Sequence, residues 1–261
     1  SAMKELEQEI GIQIFQRTNR GMVQTIEGEE FLSYARQVYQ QYELLLHKYG
    51  KAGNVKRKFG VSTQHYSFAV KAFVETVKHF DTLNYDFAIR ETKTFEIIQD
   101  VSQLKSDIGI LYLNDFNRKI IEKILRENDL EFHFLINCRA YVYLWKGHPL
   151  AKEQSIAFPQ LMDYPCLSFE QGENGSFYFA EEILSTNDYA RTIKATDRAS
   201  MLNLMIGLNG YTLCSGIICE ELNGSDYVAV PFHADQENPN CTMEIGYITK
   251  RQSRLGEIGE T

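Results

Sequence analysis

Long apolar runs are missing from this sequence, and so is a charged segment followed by an apolar leader. The first absence argues against a membrane-spanning helix, and the second argues against a signal peptide. Cysteines are few and form neither a C-x-x-C motif nor a His-Cys cluster with zinc spacing; they are Cys138, Cys166, Cys214, Cys219 and Cys241. We therefore expect a cytoplasmic protein with reduced thiols, no metal site and no cofactor. A redox-sensing cysteine is the alternative interpretation.

The motifs of common catalytic sites are also absent. The sequence has no G-x-S-x-G, no H-E-x-x-H and no paired carboxylates on one helix stripe. Residues 207–210 lack the lysine and the spacing of a P-loop. His65 could form a catalytic triad with Asp107 and a serine, but no sequence motif supports such a triad. We predict no catalytic residue and do not expect an enzyme.

Charge is distributed unevenly along the 261 residues, which carry a net charge of −8. Residues 1–58 hold nine Lys and Arg against seven Glu, a net charge of +2, and the remainder holds 18 basic and 28 acidic residues, a net charge of −10. A basic start on an acidic body fits a DNA-reading end attached to a module with another task. The hydrophobic fraction of 44% is ample for a buried core.

The first 31 residues carry the most specific pattern. Leu6 and Ile10 lie on one stripe of a helix that ends at Gly11. Ile14 and Phe15 are predicted to be buried, and a tight basic turn follows at 17–21. A second helix is predicted to begin after an N-cap at Thr25, and its first turn is rich in glutamate.

This order of residues resembles the winged-helix half of LysR-type transcriptional regulators, and the matching positions are Leu6, Glu7, Gly11, Phe15, Arg17, Gly21, Thr25, Gly28 and Phe31. The resemblance implies a partial winged helix-turn-helix domain over 1–26. It also implies DNA contacts from the wing residues Arg17, Thr18, Asn19 and Arg20. Because the chain begins roughly where the recognition helix of that family ends, we expect a truncated regulator that lacks most base-reading residues.

Residues 27–50 read as one long helix with an apolar stripe, formed by Phe31, Tyr34, Val38, Tyr42, Leu45 and Tyr49. Such an unmatched face usually meets a partner, and the resemblance implies a linker helix that forms a homodimer, usually within a tetramer. Packing of this helix on its own body is the alternative. The charged stretch 51–58 is predicted to be a hinge.

Residues 59–261 alternate predicted strands and helices, among them a strand at Phe59–Thr63 and a helix at Phe177–Ser185. This pattern is typical of an α/β fold with a parallel sheet. This body resembles the two-lobed, periplasmic-binding-protein-like effector domain of the same family, which implies lobe I at about 59–137 and 240–261 and lobe II at about 138–239. Strand ends and turns that carry this resemblance include Gly60–Thr63, Asp107–Ile110, His148–Leu150 and Gly210–Gly216. The closest likeness is to a Gram-positive branch that includes regulators of methionine uptake and of capsule genes.

Three strand-to-helix junctions present polar residues where open α/β sheets bind ligands. The candidate effector-binding residues are Ser62, Thr63, Gln64, His65, Glu91, Thr92, Thr94, Thr196 and Asp197. Hydroxyls and free backbone N–H groups there could hold an anion, with Glu91 or Asp197 facing an amine. Each junction is also explained by ordinary helix capping, which is compatible with ligand contact.

We therefore predict a DNA-binding regulator that senses a small polar metabolite from amino-acid or sulfur metabolism. Its partners would be DNA, a second copy of itself and that metabolite, with no membrane. A solute-binding protein of a transporter is the alternative function.

Overall fold

The computed structural model describes residues 2–19, 21–49, 56–81, 84–172, 176–234, 239–251 and 255–261, without the side chains of residues 40, 43, 44, 46–49 and 239. Its N-terminal unit consists of helix α1 (Ala2–Ile10), strands β1 (Phe15–Thr18) and β2 (Gly21–Gln24), and helix α2 (Ile26–Tyr49). A two-lobed α/β body follows, as the sequence predicts.

The N-terminal unit is organised around Ile14, whose side chain is fully buried. One oxygen of Glu7 accepts hydrogen bonds from the N–H groups of Ile14 and Phe15, at 2.7 and 2.9 Å, which fixes the chain after α1. The Thr25 hydroxyl accepts from the Gly28 N–H at 2.8 Å and so caps α2. Phe15 is only half-buried, because it opens an isolated two-stranded hairpin.

Helix α2 leaves most of its apolar stripe in solvent. The side chains of Tyr34, Val38, Tyr42 and Leu45 are more than half exposed, whereas Phe31 is half-buried. On another side, α2 touches the body, and its Arg36 guanidinium donates to the Gln103 carbonyl at 3.3 Å. The side chain of the predicted dimerisation residue Tyr49 lies outside the described part of the chain, as do predicted hinge residues 51–55.

Lobe I contains a five-stranded sheet in the order β4-β3-β5-β13-β6. Its elements are β3 (Arg57–Thr63), α3 (Ser67–His79), β4 (Tyr85–Glu91), α4 (Thr94–Ser102), β5 (Ile108–Leu113), α5 (Arg118–Glu127), β6 (Leu130–Arg139), β13 (Thr242–Lys250) and α9 (Glu257–Glu260). Strands β3, β4 and β5 run parallel, whereas β13 is antiparallel to both β5 and β6. The carboxyl ends of the parallel strands therefore meet at one edge of the sheet.

Lobe II contains a four-stranded sheet in the order β11-β7-β12-β8 and a separate parallel pair, β9 and β10. Its elements are β7 (Tyr141–Trp145), β8 (Ile156–Ala157), α6 (Phe158–Leu161), β9 (Cys166–Phe169), β10 (Thr192–Ala195), α7 (Arg198–Leu208), β11 (Thr212–Cys214), α8 (Glu220–Asn223) and β12 (Tyr227–His233). An isolated bridge between Cys166 and Tyr211 ties β9 to the start of β11.

The chain crosses between the lobes after β6 and again before β13. The two crossings are hydrogen-bonded, because Ala140 donates its N–H to the Cys241 carbonyl at 2.8 Å and accepts from the Phe232 N–H at 3.0 Å. A buried cluster that includes Val142, Leu144 and Ile245 continues through this region. The lobes therefore share a core at the crossings, where two adjacent strands make a hinge.

Two local predictions differ from the structure, and one helix has no counterpart among the predicted elements. The predicted helix over Phe177–Ser185 is wrong, because only a 3-10 turn forms at Phe177–Phe179. In the rest of the segment, Glu181 accepts from the His65 N–H of lobe I, and Glu182 accepts from the Phe169 N–H within lobe II. Helix α5 carries a strong apolar stripe that the sequence prediction left unassigned. Strand β3 begins at Arg57, two residues earlier than predicted, because Arg57 and Lys58 pair with β4.

Candidate functional site

The residues that follow β3 are buried inside lobe I and bonded to one another. The Ser62 hydroxyl donates to the Asp100 carboxylate at 2.7 Å and lies 2.8 Å from the Ser106 hydroxyl. The Thr63 hydroxyl donates to the carbonyl of Gln64 at 2.8 Å. These side chains are fully buried, so they shape the strand end and present no free hydroxyl to solvent.

Gln64 and Thr94 begin a chain of hydrogen bonds that leaves lobe I. The Gln64 amide donates to the Thr94 hydroxyl at 2.6 Å, and its oxygen accepts from the Tyr66 hydroxyl at 2.7 Å. The Thr94 hydroxyl in turn donates to the Phe179 carbonyl of lobe II at 2.8 Å. The Thr94 N–H donates to the Gln171 side chain at 3.1 Å.

His65 lies at the centre of the contact between the lobes. Its backbone N–H donates to the Glu181 carboxylate at 2.8 Å, and its Nδ1 lies 2.9 Å from the same oxygen. Its ring stacks on Phe169 with 3.7 Å between centroids and an interplanar angle of 6°. The Tyr112 hydroxyl donates to the Glu182 carbonyl at 3.2 Å.

We refer to this set of contacts as the interlobe seam, defined by His65, Glu91, Thr94 and Tyr112 of lobe I and by Phe169, Gln171, Phe179, Glu181, Glu182 and Arg198 of lobe II. Four of the predicted effector-binding residues either belong to the seam or bind a seam residue: Gln64, His65, Glu91 and Thr94. Their hydrogen-bond and ion-pair partners are other protein groups. Direct polar contacts therefore join the two lobes across the seam.

Two buried carboxyl groups stand side by side in the seam. Glu181 accepts from His65 and from the Gln171 amide, the latter at 2.9 Å, whereas Glu182 accepts from the Phe169 N–H at 2.7 Å. Burial, helped by the charge of Glu181, raises the pKa of Glu182 to about 8. Glu182 is therefore largely protonated at neutral pH.

The remaining predicted effector residues lie at the rim of the seam. Glu91 forms an ion pair with Arg198 of lobe II, which closes the gap between the two lobes. Asp197 caps α7 by accepting from the Ser200 N–H at 2.9 Å, and this hydrogen bond lowers the pKa of Asp197. Thr92 donates to Glu96. Thr196 is exposed between β10 and α7.

A pocket opens beside the seam and has a cavity volume of about 90 Å³. Its walls are mostly apolar and include Phe169, Met201, Met205, Leu213, Ile217 and Met243. Arg198, Glu181 and Glu182 also line it. We call it the seam pocket.

Two buried hydroxyls in the seam pocket have no hydrogen-bond partner. They are the Tyr143 and Thr212 hydroxyls, the unpartnered buried side-chain groups found among the described residues. The Asn223 amide approaches Tyr143, but its geometry falls short of a hydrogen bond. Buried polar groups in native proteins normally have partners, so these hydroxyls mark a place for a polar ligand atom.

Sequence reasoning did not single out Tyr143, Thr212, Glu181 or Glu182 as site residues. Glu181 and Glu182 fell within the segment read as a helix, and Tyr143 and Thr212 are separated by about seventy positions in sequence. Strand pairing places the last two directly opposite each other. A polar residue in an otherwise apolar strand is the only signal that could have found them.

The five cysteines are free, and burial raises the pKa of Cys166 to about 12 and of Cys214 to about 11. Burial therefore opposes thiolate formation at these two positions. Within the described ranges, no group of three or more His, Cys, Asp or Glu is arranged to hold a metal ion. Among those same residues, no helix combines the length and hydropathy needed to cross a bilayer.

Three of the predicted DNA-contacting residues, Arg17, Thr18 and Asn19, lie on the exposed β1–β2 hairpin. Arg17 and Asn19 are exposed, and the Thr18 hydroxyl bridges the hairpin by donating to the Gly21 carbonyl at 3.0 Å. Arg20 lies outside the described residues. The hairpin therefore forms an exposed wing that carries the positively charged side chain of Arg17.

Comparison with known proteins gives a consistent result. The LysR substrate binding domain matches residues 83–257, about two thirds of the chain. The uncharacterized HTH-type transcriptional regulator YbhD of Escherichia coli (strain K12) is 24% identical over 264 residues, which span 99% of this chain and 78% of that protein. The HTH-type transcriptional regulator AlsR of Bacillus subtilis (strain 168) is 27% identical over 171 residues, which span 64% of this chain and 52% of that protein.

Solved structures show the same fold. A full-length OxyR variant from Pseudomonas aeruginosa superimposes with a TM-score of 0.62 at 17% sequence identity. The superposition covers 95% of this chain and 77% of the OxyR chain. The effector binding domain of QuiR, solved in complex with shikimate, superimposes with a TM-score of 0.52 at 16% sequence identity. The superposition covers 79% of this chain and 93% of the QuiR domain.

Proposed function

This chain belongs to the LysR family of transcriptional regulators, whose substrate binding domain it contains, and we propose that its seam pocket is the effector site of a DNA-binding regulator. The observation that supports this most directly is the position of the pocket beside the polar seam. A molecule bound there contacts residues of both lobes, so it favours one lobe arrangement over another. The QuiR domain, with its bound shikimate, shows such a fold holding a small metabolite.

The proposed mechanism couples the seam pocket to the DNA-binding end. An effector that engages Arg198 weakens its ion pair with Glu91 and changes how the lobes meet. Because α2 touches lobe I through Arg36 and Gln103, a change in the body is transmitted to the linker helix. Coupling of this kind requires that the effector has different affinities for the two arrangements.

We place DNA contacts on the wing, at Arg17, Thr18 and Asn19, with Arg20 beside them in sequence. A cation on a hairpin tip binds phosphate or enters the minor groove, which positions the protein without reading sequence. Membership of the Gram-positive methionine and capsule branch is part of this proposal, as is a cytoplasmic location. Identity of the effector and of the operator is not part of it.

Arg17→Ala is expected to weaken DNA binding about equally for all sequences and to reduce the slope of log affinity against log salt by about 1. The measurement is fluorescence anisotropy on several unrelated duplexes, with protein expressed from the complete reading frame. Lys123→Ala, which removes one charge from α5 on lobe I, is the matched control and should leave the slope unchanged. A change in site preference for Arg17→Ala would contradict the assignment.

We also propose that α2 mediates dimerisation through Phe31, Tyr34, Val38, Tyr42, Leu45 and Tyr49. The support is an exposed apolar stripe on one long helix, with Val38 71% exposed. A second copy packed antiparallel on this stripe would cover it. The alternative function, that of a solute-binding protein without a regulatory role, does not explain such a helix.

Val38→Asp is expected to weaken the dimer by at least about a hundredfold, because it removes apolar burial and places a charge in an apolar contact. Sedimentation equilibrium measures the change directly. Met162→Asp replaces another exposed apolar residue, in lobe II, and should leave the assembly intact. A wild-type chain that sediments as a monomer at micromolar concentration would contradict the proposal.

A further inference from the structure

The two unpartnered hydroxyls of the seam pocket, together with an adjacent guanidinium, form a receptor for one kind of group. We infer that the seam pocket binds a small monocarboxylic acid with an apolar body, an inference that rests on the proposed effector role of this pocket. The carboxylate would contact Tyr143, Thr212 and Arg198, and the apolar body would fill the rest of the pocket.

The hydroxyls are positioned together by the sheet of lobe II. Thr212 of β11 and Tyr143 of β7 pair directly across the antiparallel ladder, so their side chains lie on the same face. Thr212 is 8% exposed and Tyr143 is 9% exposed. A buried hydroxyl without a partner is unfavourable, and these two can both donate to the oxygens of one bound anion.

Arg198 provides the positive charge for that anion. It begins α7 and lines the same pocket, and its ion pair with Glu91 reaches across the mouth. Burial raises the pKa of Tyr143 to about 12, and the charge of Arg198 acts in the opposite direction, which places the guanidinium within electrostatic reach of the phenol. Hydrogen bonds from a guanidinium to a carboxylate are among the strongest in proteins.

The acidic groups of the pocket favour an acid without an amine. Glu181 already accepts hydrogen bonds from His65 and from Gln171. Glu182 accepts from the Phe169 N–H, and it is largely neutral at pH 7 because burial raises its pKa to about 8. Neither carboxyl lacks a partner, so neither requires the ammonium group of an amino acid.

The rest of the pocket suits a flexible apolar body. Three methionines, Met201, Met205 and Met243, line it beside Leu213 and Ile217. Methionine side chains are unbranched and polarizable, so they adapt to ligands of different outline. Because they line the same pocket as the hydroxyl pair, a small acid can reach both regions at once.

The experiment compares three matched probe series with the purified chain: small branched and straight monocarboxylates, their amides, and the corresponding 2-amino acids. Thermal shift identifies binders and titration calorimetry gives their Kd. We expect saturable binding of at least one acid, with its amide at least about tenfold weaker because the amide has no charge for Arg198.

The hydroxyl assignment is tested with Tyr143→Phe and Thr212→Val. Each should weaken acid binding about tenfold, the value of one hydrogen bond, while leaving the melting temperature of the ligand-free protein unchanged or higher. Tyr189→Phe is the control: its hydroxyl donates to the Leu184 carbonyl at 2.8 Å outside the pocket, so it should lower the melting temperature without changing Kd.

Three results would overturn the inference: no acid in the series binds, the amides bind as well as the acids, or both hydroxyl variants bind the acid with wild-type affinity. Tight binding of an amino acid alone would overturn the ligand class and leave the pocket as the effector site. The proposed regulatory function fails on a different result, the absence of any effect of a bound ligand on DNA affinity.

Discussion

Gly28→Ala is expected to destabilise the N-terminal unit by about 3 kcal/mol, at the upper end of what overpacking costs. A Cβ atom at Gly28 would lie 2.1 Å from the carbonyl oxygen of Ile14 and 2.7 Å from its carbonyl carbon. Both atoms belong to the backbone, so no side-chain rotation can relieve the clash. The variant must move α2 away from the buried Ile14 and with it the wing.

Hydrogen exchange measured by mass spectrometry tests this result, because it reports the N-terminal unit separately from the body. We expect faster exchange over residues 12–30 and unchanged exchange in lobe II. Gly207→Ala is the matched control, since a Cβ there meets nothing within 4 Å and lies within α7. That substitution should stabilise the protein by about 0.5–1 kcal/mol. Equal protection in Gly28→Ala and wild type would contradict the packing described here.

Glu182→Gln is expected to remove a large part of the pH dependence of stability. The folded protein raises the pKa of Glu182 from 4.5 to about 8, so the folded state binds this proton more tightly than the unfolded state. The stabilisation is fully present below about pH 4.5 and is lost as pH rises through about 8. Between these limits the free energy of unfolding falls by up to about 1.4 kcal/mol per pH unit through this group.

Urea unfolding at pH 5.5, 7.0 and 8.5 measures this effect. Glutamine keeps an oxygen for the Phe169 N–H but cannot ionise, so Glu182→Gln should be more stable than wild type at pH 8.5 by about 3–5 kcal/mol. The two proteins should converge as pH falls. Glu153→Gln changes an exposed carboxyl of lobe II and should follow the wild-type curve. Parallel curves for wild type and Glu182→Gln at all three pH values would show that the buried carboxyl is not responsible.

Much of the fold is visible in the sequence because local patterns specify it. Alternating strands and helices predict the parallel part of lobe I, and the N-cap at Thr25 predicts the start of α2 to within one residue. Long-range pairing is not visible in this way. The failure at Phe177–Ser185 is informative, since residues with helical spacing adopt turns where Glu181 gains a partner in the other lobe and Glu182 gains one on β9.

The candidate site was predictable in location and less so in its contacts. Strand-end residues such as His65, Glu91 and Thr94 do lie at the edge where the lobes meet, as parallel-sheet geometry requires. Their partners come from distant positions, so the sequence could not indicate whether they face a ligand or the other lobe. Whether they contact the effector remains a prediction. Tyr143 and Thr212 emerge only when β7 and β11 are paired.

The most direct test of the regulator account is a linkage measurement on protein expressed from the complete reading frame. DNA affinity is measured with and without a saturating seam-pocket ligand, and ligand affinity is measured with and without DNA. The account predicts that the two affinities change by the same factor, of about 5- to 150-fold, because coupling between two sites is reciprocal. Saturable ligand binding with no change in DNA affinity would contradict it and favour a solute-binding protein.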